Sequence, residues 1–274
     1  MTRTRFAPSP TGPLHLGHAW AAMVADEAGD MLLRIEDIDR QRSRHEWEAA
    51  IYDDLRWLGL DWPEPVMRQS ERMAAYGAAL DALWAQGLLY PCTCNRRDIL
   101  AAASAPQEGA PLLGPDGIVY PGTCRSASRT GPRPNGVALR LDAAAVDDLR
   151  WTERGAPRTM EAGAFREGIG DVVLARRDFG TSYHLAVVVD DAAQGIDLVT
   201  RGADLEEATP IHVALQGLLG LATPDYLHQD LVRDRDGKRL AKRDDARSIA
   251  SYRAAGWSAE RLKTRLRDSR IAPY

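Results

Sequence analysis

The stretch Ala7-Pro8-Ser9-Pro10-Thr11-Gly12-Pro13 constrains this chain more than any other. Each of its prolines locks φ and removes a backbone donor, so neither a helix nor a central strand can run through it. The segment must turn. Thr2 to Phe6 before it reads as a short strand, and helix resumes after Gly17, where His18 to Ala28 is rich in alanine and carries Trp20, Met23 and Val24. Met31 to Ile35 then has the apolar density of a buried strand. A strand-loop-helix-strand unit of this kind opens an α/β fold with mostly parallel strands, in which ligands sit beyond the carboxyl ends of the strands.

Trp47, Ile51, Leu55 and Leu58 recur at helical spacing, as do Met73, Tyr76, Leu80, Leu83 and Trp84, the second set being stopped by Gly87. From about Ala101 to Asn135 proline, glycine, alanine and serine predict a loop-rich insertion. Strand-like runs follow at Val137–Leu141, Asp171–Leu174, His184–Val189 and Asp197–Thr200. Thr209 before Pro210 predicts an N-cap, the helix after it ends at Gly220, and another helix starts near Ser258.

At 274 residues and 45% hydrophobic content the chain can bury a sizeable core in one or two domains. We expect a catalytic core from 1–90 and 137–230, an insertion at 91–136 and a helical tail at 231–274. The longest purely apolar run, Leu185–Val189, is far below the roughly 18 residues of a membrane span, and Pro8 and Pro10 interrupt the place of a secretory segment. A cytoplasmic protein without membrane contact is expected. The net charge of −4 argues against indiscriminate nucleic-acid binding, yet from residue 231 onward 13 Lys and Arg face 6 Asp and Glu, so polyanions should dock on the tail.

His15-Leu16-Gly17-His18 lies where the first helix opens. Two imidazoles three residues apart share one face of a helical turn, Gly17 lets a phosphate approach the backbone, and the helix amino terminus adds N–H groups and partial positive charge. Such a turn can cradle a triphosphate while His15 and His18 stabilise charge on its α-phosphate. Two surface histidines near a helix start are the plain alternative.

The longer run from Arg5 to His18 resembles the signature of class I aminoacyl-tRNA synthetases of the glutamyl and glutaminyl group. Arg34-Ile35-Glu36-Asp37-Ile38-Asp39 resembles that group's second signature, and Val187–Asp191 and Val199–Leu205 its later active-site segments. Arg239-Leu240-Ala241-Lys242-Arg243 sits where the lysine loop belongs, with Ala241 in place of the usual serine. The resemblance implies a Rossmann-type catalytic domain that binds ATP with Mg²⁺ through His15, Gly17, His18 and Lys242. It implies a glutamate site at Arg5, Ala7, Ser9, Glu36, Tyr183 and Arg201. That set suits the substrate: two arginines pair with two carboxylates, Glu36 and the Ser9 hydroxyl accept from the ammonium, and Tyr183 adds a hydroxyl and a wall. Taken singly, Arg5 reads as a surface charge, Glu36 as a partner of Arg34 or Arg40, and Tyr183 as a core aromatic. Asp37 and Asp39 read as groups that orient arginines or backbone.

Three cysteines are too few and too uneven for a disulfide scaffold, and metal ligation is the better reading, with buried unligated thiols as its alternative. Cys92, Cys94 and Cys124 with the phenol of Tyr120 could complete a tetrahedral zinc shell. C-x-C followed by Y-x-x-x-C resembles the site of one subgroup, the glutamyl-queuosine tRNA(Asp) synthetases, which implies one structural Zn²⁺ that pins the insertion.

Only about thirty residues follow the lysine loop, too few for an anticodon-reading domain. The resemblance therefore implies activation of L-glutamate with ATP and transfer to queuosine in the anticodon of tRNA(Asp) by a monomer. Competing readings are a minimal glutamyl-tRNA synthetase charging tRNA(Glu), a non-catalytic tRNA-binding paralogue, and a nucleotidyltransferase for another small acid.

Overall fold

A computed structural model describes residues 1–103, 113–232 and 247–268. In chain order its strands are β1 (Arg3–Phe6), β2 (Asp30–Ile35), β3 (Met67–Arg68), β4 (Leu89–Cys92), β5 (Leu113–Gly114), β6 (Gly117–Ile118), β7 (Ala138–Leu141), β8 (Leu149–Glu153), β9 (Ala156–Met160), β10 (Val173–Ala175), β11 (Leu198–Gly202) and β12 (Asp225–Gln229). Its α-helices are α1 (Leu16–Ala28), α2 (His45–Trp57), α3 (Met73–Ala85), α4 (Arg96–Ala103), α5 (Ala162–Gly168), α6 (Tyr183–Gln194), α7 (Thr209–Leu218), α8 (Ile249–Ala254) and α9 (Ala259–Asp268). No helix among the described residues is long and apolar enough to cross a membrane.

The chain divides into two compact units. The first comprises Met1–Glu71, Gly195–Glu206 and Asp225–Tyr274. There β1, β2 and β3 pair in parallel in that order, and β11 pairs in parallel with β12. The Asp197 N–H donates to the Arg3 carbonyl at 3.0 Å and brings β11 to β1. α1 covers these strands because Leu16, Ala19, Trp20, Met23 and their neighbours bury a helical stripe. Its exit toward β2 runs so close to β1 that a Cβ on Gly29 would lie 2.2 Å from the Thr2 carbonyl oxygen, which only glycine tolerates. α2 adds Ile51 and Leu55 to the same core. α9 adds Leu262 and Leu266, one turn apart on its apolar face.

The second unit comprises Arg72–Gln194 and Glu207–Pro224. Its pairing is antiparallel: β4 and β10 flank β7, β8 forms a hairpin with β9, and β5 with β6. The expectation of mostly parallel strands thus holds for the first unit and fails for the second. α3 and α6 are tied by Asp190, which is fully buried and accepts from Arg72 Nε at 2.6 Å and the Tyr76 hydroxyl at 2.7 Å.

Two further expectations are corrected. His184–Val189 is not a strand but the body of α6. Its residues from His184 to Val188 are all buried, and a short apolar run buried all round carries no period that separates strand from helix. Thr209 is the first residue of α7, and the cap before it, Ala208, makes no side-chain capping bond.

Candidate functional site

α1 begins earlier than the sequence suggested, at Leu16, so His15 is the N-cap and His18 the third helical residue. The Gly17 N–H donates to His15 Nδ1 and the His15 N–H to His18 Nδ1, each at 3.1 Å. This is a capping box built from two imidazoles where serine and glutamate are usual. An Nδ1 that accepts is unprotonated, so each neutral ring carries its proton on Nε2. The rings lie 3.8 Å apart between centroids. The cap therefore fixes both tautomers and both ring orientations. The loop before it is bound to the first unit: the Ile249 N–H donates to the Leu14 carbonyl at 2.9 Å and His15 bridges to Ser248.

A cavity of about 170 Å³ opens on this cap, lined by His15, Gly17, His18, Gly202, Asp204 and Asp230 among others. At Gly202 a Cβ would lie 2.4 Å from Asp204 Oδ1, so a larger residue there would have to displace the Asp204 carboxylate that lines the cavity. Asp204 lies in a segment the sequence had singled out; Gly202 joined it there, whereas Asp230 carried no signal of its own.

Arg5, Ala7, Ser9, Glu36 and Arg201 also belong to the first unit, and three of them sit at the carboxyl ends of its parallel strands. Arg5 is 5% exposed and donates through NH1 to the Thr200 carbonyl at 2.8 Å, which ties β1 to the residue before Arg201. Glu36 follows β2 directly, and its N–H donates to the Pro8 carbonyl at 3.0 Å, which joins the proline turn to the strand end. Arg34, without exposed surface, donates through NH2 to Glu36 Oε1 at 3.2 Å. The plain reading of Glu36 as a partner of Arg34 is therefore correct. Arg201 is also 5% exposed and donates through Nε to His228 Nε2 at 2.9 Å. Sequence reasoning missed His228, because which residues face each other across parallel strands is decided by register.

Asp37 accepts from the Ser70 N–H at 2.8 Å. Asp39 accepts from Arg42, whose hydrogen bond holds its carboxyl below the usual range. Both orient backbone and arginine, as expected. Tyr183 opens α6 in the second unit, 37% exposed, with its ring 5.4 Å from His184 and 5.9 Å from His212. Lys242, with Arg239, Ala241 and Arg243, lies outside the described residues.

The second unit gathers the sulfur cluster. Sγ of Cys92 and of Cys94 lie 3.5 and 3.4 Å from the Tyr120 hydroxyl, and Sγ of Cys94 lies 3.6 Å from that of Cys124. All three sulfurs lie within 4.8 Å of one another. A tetrahedral zinc with bonds near 2.3 Å to sulfur and 2.0 Å to oxygen spaces its ligands by about 3.5 to 3.8 Å, so the four side chains fit that ion. Beneath them the Arg140 guanidinium stacks 3.8 Å from the centre of the Tyr120 ring and donates to the Asp171 carbonyl at 2.7 Å. The Tyr120 hydroxyl beside Cys124 draws that thiol down to about 6, while burial pushes the Cys94 thiol up.

Known proteins resolve what this geometry belongs to. The model of the class I tRNA synthetases (E and Q), catalytic domain, matches residues 1–111 and 160–268. A glutamyl-Q tRNA(Asp) synthetase of Rhodobacter capsulatus is 58% identical over 93% of this chain and 96% of its own length. The chain belongs to the glutamyl-Q tRNA(Asp) synthetase branch of the class I glutamyl and glutaminyl family. A second member of the branch, from Nitratidesulfovibrio vulgaris, is 43% identical over 96% of this chain and 84% of its own length. Among solved structures, a glutamate tRNA ligase of Elizabethkingia meningosepticum in complex with its amino acid superposes with a TM-score of 0.76 at 26% identity. The match covers 97% of this chain and 60% of that ligase, so the chain spans less than two thirds of it.

Proposed function

We propose that this chain is a ligase that activates L-glutamate with ATP as glutamyl adenylate and transfers the glutamyl group to queuosine in the anticodon of tRNA(Asp). The observation that carries the reading is the imidazole capping box. It holds two Nε2–H donors at a helix amino terminus in the unit that also carries Arg5, Glu36 and Arg201 at strand ends. The names of the branch's other members supply the substrates.

In this reading the α-carboxylate of glutamate attacks the α-phosphorus of ATP and pyrophosphate leaves. His15 and His18 donate to the phosphate oxygens as charge develops there, preorganised by their own caps, so little reorganisation remains for the reacting state. Gly17 lets the phosphates approach the helix backbone. Lys242, assigned by its motif alone, adds a mobile charge to the pyrophosphate, and Mg²⁺ arrives with the nucleotide. Arg5 and Arg201 hold the carboxylates, Glu36 and Ser9 accept from the ammonium, and the backbone at Ala7 lines the niche. A hydroxyl of the queuosine ring then attacks the mixed anhydride and releases AMP. Cys92, Cys94, Tyr120 and Cys124 would hold one zinc whose chemistry is structural, a rigid cross-link within the second unit. The enzyme acts in the cytoplasm as a monomer.

The test is nucleoside mass analysis of queuosine-containing tRNA(Asp) after incubation with enzyme, glutamate and ATP. Queuosine heavier by one glutamyl residue is the expected product. Esterification of tRNA(Glu) at its 3′ end with tRNA(Asp) unchanged would overturn the reading in favour of ordinary charging.

A further inference from the structure

The second unit holds a cavity of about 320 Å³ that the proposed reaction does not use. Its lining joins the first turn of α4, the β5–β6 hairpin, β7 and the approach to β10. Two arginines line it. Arg140 of β7 is 8% exposed, and among the described residues it has no carboxylate of its own. Its NH1 donates to the Asp171 carbonyl at 2.7 Å, its guanidinium lies over the Tyr120 ring, and its buried Nε has no partner. The Asp171 carboxylate is engaged instead by Arg125 at 2.8 Å, by the Tyr90 hydroxyl and by the Ala143 N–H. A guanidinium withdrawn from water without a counter-charge is costly, so this one calls for an anion. Arg96 is exposed at the start of α4 and has no hydrogen bond or ion pair among the described residues.

The rest of the lining decides which anion. Ile99, Ile118, Ile169 and Val172 give the cavity apolar walls, and Asp116, half exposed and 3.6 Å from His184, adds a carboxylate acceptor. A bare phosphate needs no such walls, and the volume is that of a small-ligand site. A planar ring that carries N–H donors and an attached phosphate suits the arginines, the walls and the acceptor together, and such a molecule is a nucleotide. Unpaired RNA loops splay out nucleotides of this kind for proteins to read.

We propose that this cavity receives one splayed nucleotide of the RNA substrate, with its phosphate on Arg96 and Arg140 and its base against the isoleucine and valine walls. The inference rests on the reading that the chain acts on tRNA(Asp), and not on which nucleoside of it is glutamylated.

The experiment measures binding of tRNA(Asp) over a series of salt concentrations to the full chain and to Arg96→Ala, Arg140→Met, Arg140→Lys and the double variant Arg96→Ala/Arg140→Met, with melting temperature as a check of fold. Arg140→Met should weaken the RNA by about tenfold or more, and Arg140→Lys by less, because lysine keeps the charge and loses the fork. Arg96→Ala, at an exposed position, should weaken it by about threefold or more with no change in melting. Both arginines address one phosphate, so the double variant should lower the slope of log K against log salt by about one, and not by about two. KM for ATP and for glutamate in pyrophosphate exchange should stay within about twofold in every variant. AMP, the probe for a free nucleotide, should bind the parent at least about a hundredfold more weakly than the RNA does.

If Arg140→Met does not fold, Arg96→Ala still decides: parental RNA affinity and salt slope in that variant would overturn the site. Rises in KM for ATP and glutamate that match the loss of RNA affinity would show a general disturbance and overturn it too. AMP bound as tightly as the RNA, and lost in Arg140→Met, would make the cavity a mononucleotide site. A parent protein that binds no tRNA(Asp) would instead fail the reading on which the inference rests, a separate result.

Discussion

At the scale of single residues, substitution can separate the cap that His15 and His18 form from the phosphate contact proposed for them. Both Nδ1 atoms accept in the cap, and in the proposed reading the Nε2–H groups donate to phosphate. Alanine would remove cap and chemistry together, at about 0.5–2 kcal/mol for the cap alone. Asparagine at position 15 and glutamine at position 18 are good residues for those capping positions yet carry no imidazole. His15→Asn and His18→Gln should therefore melt within a few degrees of the parent while each lowers the single-turnover rate of adenylate formation by about 10² or more, the usual effect of losing one preorganised donor. Rates within twofold of the parent would reduce the pair to caps. The coupling of Arg34 to Glu36 makes a second case. In Glu36→Gln a guanidinium without exposed surface loses the carboxylate charge beside it, so that variant should lower stability by about 1–3 kcal/mol in denaturant unfolding as well as raise KM for glutamate.

Secondary-structure elements were legible where a local signal acted alone. The proline turn, the alanine-rich α1 and the Leu and Ile spacing of α2 follow from residues within one turn of each other, and their bounds were read to within a few residues. α6 was misread because Val187, Val188 and Val189 favour strand and the run is too short to show a period. What decided it is burial against α3 and α7, with Asp190 locked to Arg72 and Tyr76, a nonlocal fact. Nor was the antiparallel second unit legible, since pairing direction is set by connections across the loop-rich stretch. In α2, Asp54 is 2% exposed, and burial pushes its carboxyl up to about 6 although Arg253 of α8 approaches at 3.8 Å. The sign follows directly. Between about pH 4 and pH 6 the folded state holds a proton that the unfolded state has released, so stability falls as pH rises through that window and the deficit persists above it. Asp54→Asn should stabilise the protein by about 1–3 kcal/mol at pH 7 and by almost nothing at pH 4. Loss of the half-exposed ion pair with Arg253 offsets little of this. Equal effects at both pH values, measured by denaturant unfolding, would contradict the assignment.

For the molecule as a whole, the question is what holds the second unit together, and the sulfur cluster joins β4, the segment after it and the turn at Cys124 at one point. Within that unit Tyr90, Cys92 and Tyr120 form a separate small apolar cluster with Cys94, Ile99 and Cys124 against it. So small a core contributes little by itself, whereas a structural zinc contributes its binding free energy to folding. The purified protein should carry one zinc per chain by elemental analysis. Stripping it with a strong chelator should lower the melting transition by several degrees or more, and Cys92→Ser should do the same. Tyr120→Phe isolates the proposed phenol ligand. The ring keeps its place beneath Arg140, 3.8 Å away, so packing is conserved and only the oxygen is lost. Zinc should remain bound through three thiolates in that variant but yield to a competing chelator at a lower concentration than in the parent. Identical competition curves would show that the phenol caps the Cys124 N–H, from which it accepts at 2.9 Å, and is no ligand.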